Sequence, residues 1–150
     1  MSIHEKLAQM GLTLPEPAAP LAAYVPFVRA GDLLHVSGQI ARDEAGVMRG
    51  TLGLDMEVEA GAAAARACAL HLLAQVGAAV GFDGLVQVVK LTGFVASAPG
   101  FFDQPRVING ASELLVEVLG ERGRHARSAV GVAALPLGAA VEIEGVFLVR

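Results

Sequence analysis

Three charged residues stand in one of the most apolar stretches of the chain. In RSAVGVAALPLGAAVEIEG (127–145), Arg127 opens a nearly unbroken apolar run, and Glu142 and Glu144 interrupt its second half. Charged side chains are seldom buried without partners, because desolvating a charge costs several kcal/mol. Either these three lie on the water-exposed edge of a sheet, or they form a site. In a site, the planar fork of a guanidinium suits a carboxylate, which it binds through two parallel hydrogen bonds. A neighbouring carboxylate could hold a water.

Period two along the last strand puts Val141, Ile143, Gly145 and Phe147 on one face and Glu142 and Glu144 on the other. Residues 126–149 read as two strands joined by LPLG. An even-length hairpin loop would set Gly131 opposite Glu142, Ala129 opposite Glu144 and Arg127 opposite Val146. Opposed residues share a face, so this register predicts that Arg127 and both glutamates project together, over a hollow left by Ala129 and Gly131. A one-residue bulge would reverse that conclusion. Two readings stay open at this point: a surface salt bridge on the solvent face of an edge hairpin, or a carboxylate-binding arginine beside a water-holding carboxylate.

Other residues with chemical potential are sparse. The single Cys68 falls on the apolar side of a helical pattern and reads as a buried, inert thiol. It cannot form an intrachain disulfide, which fits a reducing compartment. His4, His35, His71 and His125 are scattered, and no Cys/His set has metal-ligand spacing, so no metal site is expected. The net charge is −4, aromatic residues make up 5%, and the one basic stretch is ERGRHAR (121–127). Nucleic-acid binding normally needs phosphate-neutralising cations and stacking platforms, so nucleic acid is not the expected partner.

Elements must position these residues. Residues 4–10 predict a short helix ended by Gly11. LPEPAAPLAAYVPF, with Pro15, Pro17, Pro20 and Pro26, predicts an extended, irregular segment along the body of the domain. GDLLHVSGQI (31–40) has the length and bounding glycines of a strand, DEAG (43–46) predicts a turn, and VMRG a short returning strand. From Asp55 to Val80 the period changes. Val58, Ala62, Ala65, Ala69, Leu72, Val76 and Ala79 fall at helical spacing, with Gly81 closing the run. Its alanine-lined face would let this helix sit close to a sheet. VQVVKLTGFV (86–95) predicts the next strand. A second helix is expected from about Asp103, with Asp103 as N-cap, Pro105 in the first turn, and Phe102 and Val107 as a hydrophobic staple. Val107, Ala111, Leu114, Leu115 and Val118 supply its buried stripe, and Gly120 ends it. This order predicts an α+β fold, one sheet with two helices on one face.

At 150 residues the chain reads as one domain, with 1–23 as an N-terminal arm and 24–150 as the core. Hydrophobic residues are 54% of it and mean hydropathy is +0.57, more apolar content than one small core hides, which predicts burial between subunits. The longest apolar stretch, 60–81, is alanine-rich and broken by Arg66, His71 and Gln75, a poor membrane span. MSIHEKLAQMG lacks the apolar core of a signal peptide. No membrane association is expected, and the expected location is the cytoplasm.

Together, GDLLHVSGQI and ARSAVGVAALPLGAAVEIEG resemble the Rid family (RidA/YjgF), the reactive-intermediate deaminases. Members show a strand ending in SGQ and a late R-[ST]-x-V…LP…E-I-E segment. The element order matches that family's chorismate-mutase-like α+β fold, and the resemblance covers roughly residues 20–150. It implies a homotrimer with clefts between neighbouring subunits and a cofactor-independent hydrolase. In such proteins the arginine grips the carboxylate of a 2-imino or enamine acid, and water hydrolyses the C=N bond to a keto acid and ammonia. By position that arginine is Arg127, and the glutamate that helps hold the water is Glu142, joined by a backbone carbonyl near Ala129. Tyr24 stands before Ser37 at the spacing of the family's cleft tyrosine. Ser37 and Gly38 belong to SGQ, and Asn109 matches an asparagine of the second helix. Ser112 departs from the pattern, because an aromatic is common there. Two alternatives of other classes are a non-catalytic, carboxylate-binding trimer acting as a sensor, and a ribonuclease. The second fits poorly with the acidic charge balance and would call for a general acid–base pair.

Overall fold

The strand, helix and strand periods between residues 85 and 132 make a βαβ unit, and this unit sets the topology. The computed structural model describes residues 1–20 and 22–150. Its elements are α1 (Ile3–Gln9), β1 (Phe27–Ala30), β2 (Leu33–Ile40), β3 (Arg42–Asp43), β4 (Gly46–Val47), α2 (Val58–Val80), β5 (Leu85–Ala96), α3 (Gln104–Leu119), β6 (Ala126–Val132) and β7 (Val141–Val149). The main sheet has the order β1-β2-β7-β5-β6, and β3 and β4 form a separate small ribbon. Helix α3 is the crossover that returns the chain parallel to β5, so β6 pairs with β5 at the sheet edge. All other neighbours in the main sheet are antiparallel.

This corrects the expected terminal hairpin. β7 does not pair with β6; it lies on the other side of β5, between β5 and β2. Residues 133–140 cross over the end of β5, through a turn in which Leu137 adopts φ 58° and its carbonyl accepts from Arg49 Nε at 2.8 Å. The hairpin reading took a short loop between two strands as proof that they pair. The βαβ unit had already committed β6 to one side of β5, which left the other side for β7.

α2 and α3 lie on one face of the sheet, as expected, and the core forms between them and that face. Along α2, Ala64, Ala65, Cys68, Ala69, Leu72 and Val76 are fully buried. Small side chains let α2 and α3 approach closely, most of all at Gly110, where a Cβ would overlap the backbone carbonyl of Ala62. α2 is long and apolar enough to cross a membrane, but more than half of its apolar window is buried in this core. The alternation in β7 is as predicted, with Val141, Ile143, Gly145 and Phe147 buried.

The N-terminal helix is also integral to the core. A capping box joins Ser2 and Glu5, and Ile3 and Leu7 are buried in the same cluster as α2 and α3. Two local expectations fail. Asp103 occupies the N-cap position of α3, but its side chain makes no cap hydrogen bond. Its carboxylate instead contacts Arg106 at 3.5 Å. Phe102 is 83% exposed, so no staple forms with the buried Val107. The Pro-rich segment ends in a strand, β1, that its composition did not announce.

Candidate functional site

The sheet register places the expected site residues in two groups. β1 pairs with β2 only as far as Val36, and a bulge between Val36 and Gln39 follows. The open stretch 37–40 of β2 therefore faces the extended segment that precedes β1. Between them lies a cavity of about 420 Å³, lined by Tyr24, Gly38, Arg42, His71 and Glu142 among others. Ser37 fixes one wall: its hydroxyl donates to the carbonyl of Val25 at 2.7 Å, and its N–H donates to that of Pro26 at 2.9 Å. Those two bonds hold the backbone next to Tyr24. Gln75, buried on α2, holds another part of the same segment by donating to Ala18 O at 2.9 Å.

Glu142 enters this cavity from β7. A Cβ on residue 38 would stand 2.6 Å from its Oε1, so only glycine leaves the carboxylate its place. Burial pushes the Glu142 carboxyl above the ordinary carboxylate range, and the like charge of Glu144 adds to the shift. A carboxyl raised in this way is a better proton acceptor than an exposed one. Burial pushes the His71 imidazole the other way, below its usual value. The Cys68 thiol is pushed far up by burial and donates weakly to Val141 O at 3.6 Å, which fits the inert thiol expected.

Arg127 belongs to the other group. It sits opposite Leu91 of β5, a fully buried residue of the helix-covered face, whereas Glu142 and Glu144 sit opposite Phe94 and Thr92 on the uncovered face. The predicted common face is therefore overturned, because β5 separates the two strands. The side chain of Arg127 runs along α3. One terminal nitrogen donates to Ser112 Oγ at 3.0 Å and the other to Pro105 O at 3.1 Å. These bonds use two of the five donors of a guanidinium. Pro105, Asn109 and Ser112 recur at helical spacing, so the half-buried Asn109 shares the stripe of α3 along which Arg127 lies. Ala129 follows Arg127 on the same face of edge strand β6, paired with Gly93.

The structure thus brings Tyr24, Gly38 and Glu142 together, with Ser37 supporting them, and places Arg127, Asn109 and Ala129 together elsewhere. Sequence reasoning missed His125 at the arginine and noted Ser112 only as a departure from the family pattern. His125 Nε2 lies 2.9 Å from Ser112 Oγ, and its Nδ1 lies 2.6 Å from Gly123 O. Period two extended back from Arg127 would have put His125 on the same face. Sequence reasoning also missed Arg42 and His71 at the cavity.

Comparison with known proteins accords with this fold. Residues 15–149 match the model of the family described as Endoribonuclease L-PSP. Protein TCP17 of Trypanosoma cruzi is 52% identical over 141 residues, which covers 92% of this chain and 88% of that protein. The crystal structure of Atu1372 from Agrobacterium tumefaciens, of unknown function, superposes with a TM-score of 0.91 at 46% identity, covering 99% of this chain and 94% of that one. RidA from an Antarctic Psychrobacter superposes with a TM-score of 0.61 at 28% identity, over 91% and 96% of the two chains. On this match the chain belongs to the endoribonuclease L-PSP family, also known as the YjgF/RidA family.

Proposed function

We propose that the protein is a cofactor-independent imine/enamine deaminase, acting in the cytoplasm, whose site is completed between two copies of the chain in a homotrimer. Arg127 of one subunit grips the carboxylate of a 2-imino acid, and Glu142 of a neighbour holds the attacking water near the cavity that also contains Tyr24. The observation that carries the reading is the pinned guanidinium of Arg127: two bonds to α3 fix its plane and leave three N–H donors for a planar anion.

The chemistry needs little more than placement. A protonated imine carbon is already electrophilic, so water adds to it as Glu142 takes a proton from that water. The proton passes to the nitrogen, the C–N bond of the carbinolamine breaks, and keto acid and ammonia leave. Orientation by a charged clamp and partial exclusion of bulk water supply the acceleration. The raised affinity of Glu142 for a proton suits the transfer. β6 is an edge strand of the main sheet, and in this reading a backbone carbonyl near Ala129 shares the water with Glu142.

Two observations support assembly. Arg127 and Glu142 occupy opposite faces of one sheet, an arrangement that a site formed between two copies accommodates. The uncovered face also exposes Val28, Leu33 and Val130, at 54%, 37% and 42% respectively. Apolar residues spread over a bare sheet face are what a subunit interface would cover.

The test is ammonia and keto-acid release from freshly generated 2-iminopropionate by wild type and Arg127→Ala, with folding and oligomeric state checked. Acceleration by wild type and its loss in the variant are expected. If neither this imine nor bulkier ones are hydrolysed faster than in buffer, the deaminase reading falls. Carboxylate binding that persists without turnover would then favour a non-catalytic sensor.

A further inference from the structure

The bonding around Arg127 determines where its protons are. Nδ1 of His125 faces the Gly123 carbonyl at 2.6 Å, and a carbonyl only accepts, so Nδ1 carries the hydrogen. In the neutral ring Nε2 is then bare and accepts from the Ser112 hydroxyl at 2.9 Å. With its hydrogen so directed, Ser112 Oγ presents lone pairs to the nitrogen of Arg127 that donates to it at 3.0 Å. Every donor in this chain has one acceptor, and each link fixes the next.

We propose that Ser112 and His125 are positioning residues that hold the guanidinium of Arg127, and that anion binding at Arg127 is coupled to protonation of His125. This rests on the reading of Arg127 as an anion clamp. The arrangement resembles a serine nucleophile with its histidine base, but Oγ already accepts from a cation that holds it in place, which suits a strut.

The coupling has a definite sign. Around His125 the elements contribute Ser112 from α3, the Gly123 carbonyl from the turn before β6, and Arg127 from β6. Glu113, beside Ser112, is exposed, and the nearby Glu121 and Arg124 are exposed and paired with each other at 3.1 Å. Arg127 is the charged group that acts on the ring. Burial, and then the positive charge of Arg127, hold the His125 imidazole below its ordinary 6.5, against the opposing bond to Gly123. An anion on Arg127 cancels the repulsive charge and eases protonation. By linkage, the same anion binds more tightly as pH falls through the titration of His125. Protonated Nε2 would donate to Ser112 Oγ, which has lone pairs for both His125 and Arg127, so the strut survives.

The experiment follows the His125 ring by NMR from pH 4.5 to 8, with and without saturating pyruvate, in wild type, Arg127→Ala and Ser112→Ala. Pyruvate should raise the wild-type midpoint. Arg127→Ala should raise it without ligand and abolish the response. In kinetics, Ser112→Ala should raise KM for the imine about tenfold with kcat within about twofold, the cost of one bond to a charged group, and Ser112→Thr should restore it. A midpoint that ignores both pyruvate and Arg127→Ala overturns the coupling. A collapse of kcat in Ser112→Ala overturns the positioning role in favour of a nucleophile. Should wild type bind no pyruvate and hydrolyse no imine, the clamp reading fails and the coupling to anions with it. The ligand-free effect of Arg127→Ala would still report whether the network exists, so the two failures are distinguishable.

Discussion

Two neighbours shape the carboxyl of Glu142: a glycine that leaves it room, and a second glutamate that opposes its charge. Gly38 has an ordinary backbone angle, so a methyl group there meets only the far end of the Glu142 side chain, which can swing away. Gly38→Ala should therefore leave the melting temperature within a few degrees while displacing the carboxylate. A shift of that kind costs on the order of 10- to 100-fold in kcat/KM, measurable by steady-state imine hydrolysis. Equal activity would mean that Glu142 does not act from this position. Glu144 tests the charge. The carboxyl of Glu142 is raised first by burial and then by Glu144, so ionised Glu142 appears only as pH rises past the usual carboxylate range of about 4.5. If ionised Glu142 accepts the proton, the rate rises with pH above that range. Glu144→Gln removes the like charge, lowers the titration of Glu142, and should move the acid limb of the pH–rate profile to lower pH. A limb that stays in place would assign it to another group.

At the scale of elements, the close crossing of α2 and α3 seats α3, the helix that holds Arg127 through Ser112 and Pro105. Gly110 is the contact point, with the Ala62 carbonyl in the space a side chain would take. Alanine is favoured over glycine within a helix by about 1 kcal/mol. Forcing apart two packed backbones costs about 1–3 kcal/mol, and here the obstacle is main chain that cannot rotate away. Gly110→Ala should therefore destabilise the fold in urea unfolding, and a stabilised variant would show that the helices separate freely. The elements themselves were largely legible, because alanine periodicity, β-branched runs and bounding glycines are local signals. Which strands pair was not. The rule that decides it concerns the whole βαβ unit, and the short 133–140 connection suggested a hairpin instead. The same limit explains the site. Arg127 and Glu142 were conspicuous as charges within an apolar run, whereas the Ser112–His125 contact depends on the turn at 120–123, which folds the end of α3 back toward β6. Phe102 shows the converse: a sequence pattern for a staple was present, but its side chain points to solvent.

At the scale of the whole molecule, the separation of Arg127 from Glu142 by faces of one sheet becomes a test of assembly. Each variant, Arg127→Ala and Glu142→Ala, lacks one half of the proposed site, so each alone should be inactive. Co-refolding the two at equal amounts mixes them within oligomers. In a cyclic trimer whose sites each take Arg127 from one subunit and Glu142 from the next, a site needs the first subunit to keep Arg127 and the second to keep Glu142. Random mixing meets both conditions at about one site in four, by the closed geometry of a ring. About a quarter of the wild-type rate should therefore return on co-refolding, and mixing of folded homo-oligomers that do not exchange subunits should return none. Light scattering on the same samples gives the oligomer mass. If both groups served one site within a single chain, no mixture would regain activity. Recovery would join the two halves that the fold keeps apart: the burial that raises Glu142 and the bonds that pin Arg127 would then meet across an interface, over a reacting carbon that neither subunit holds alone.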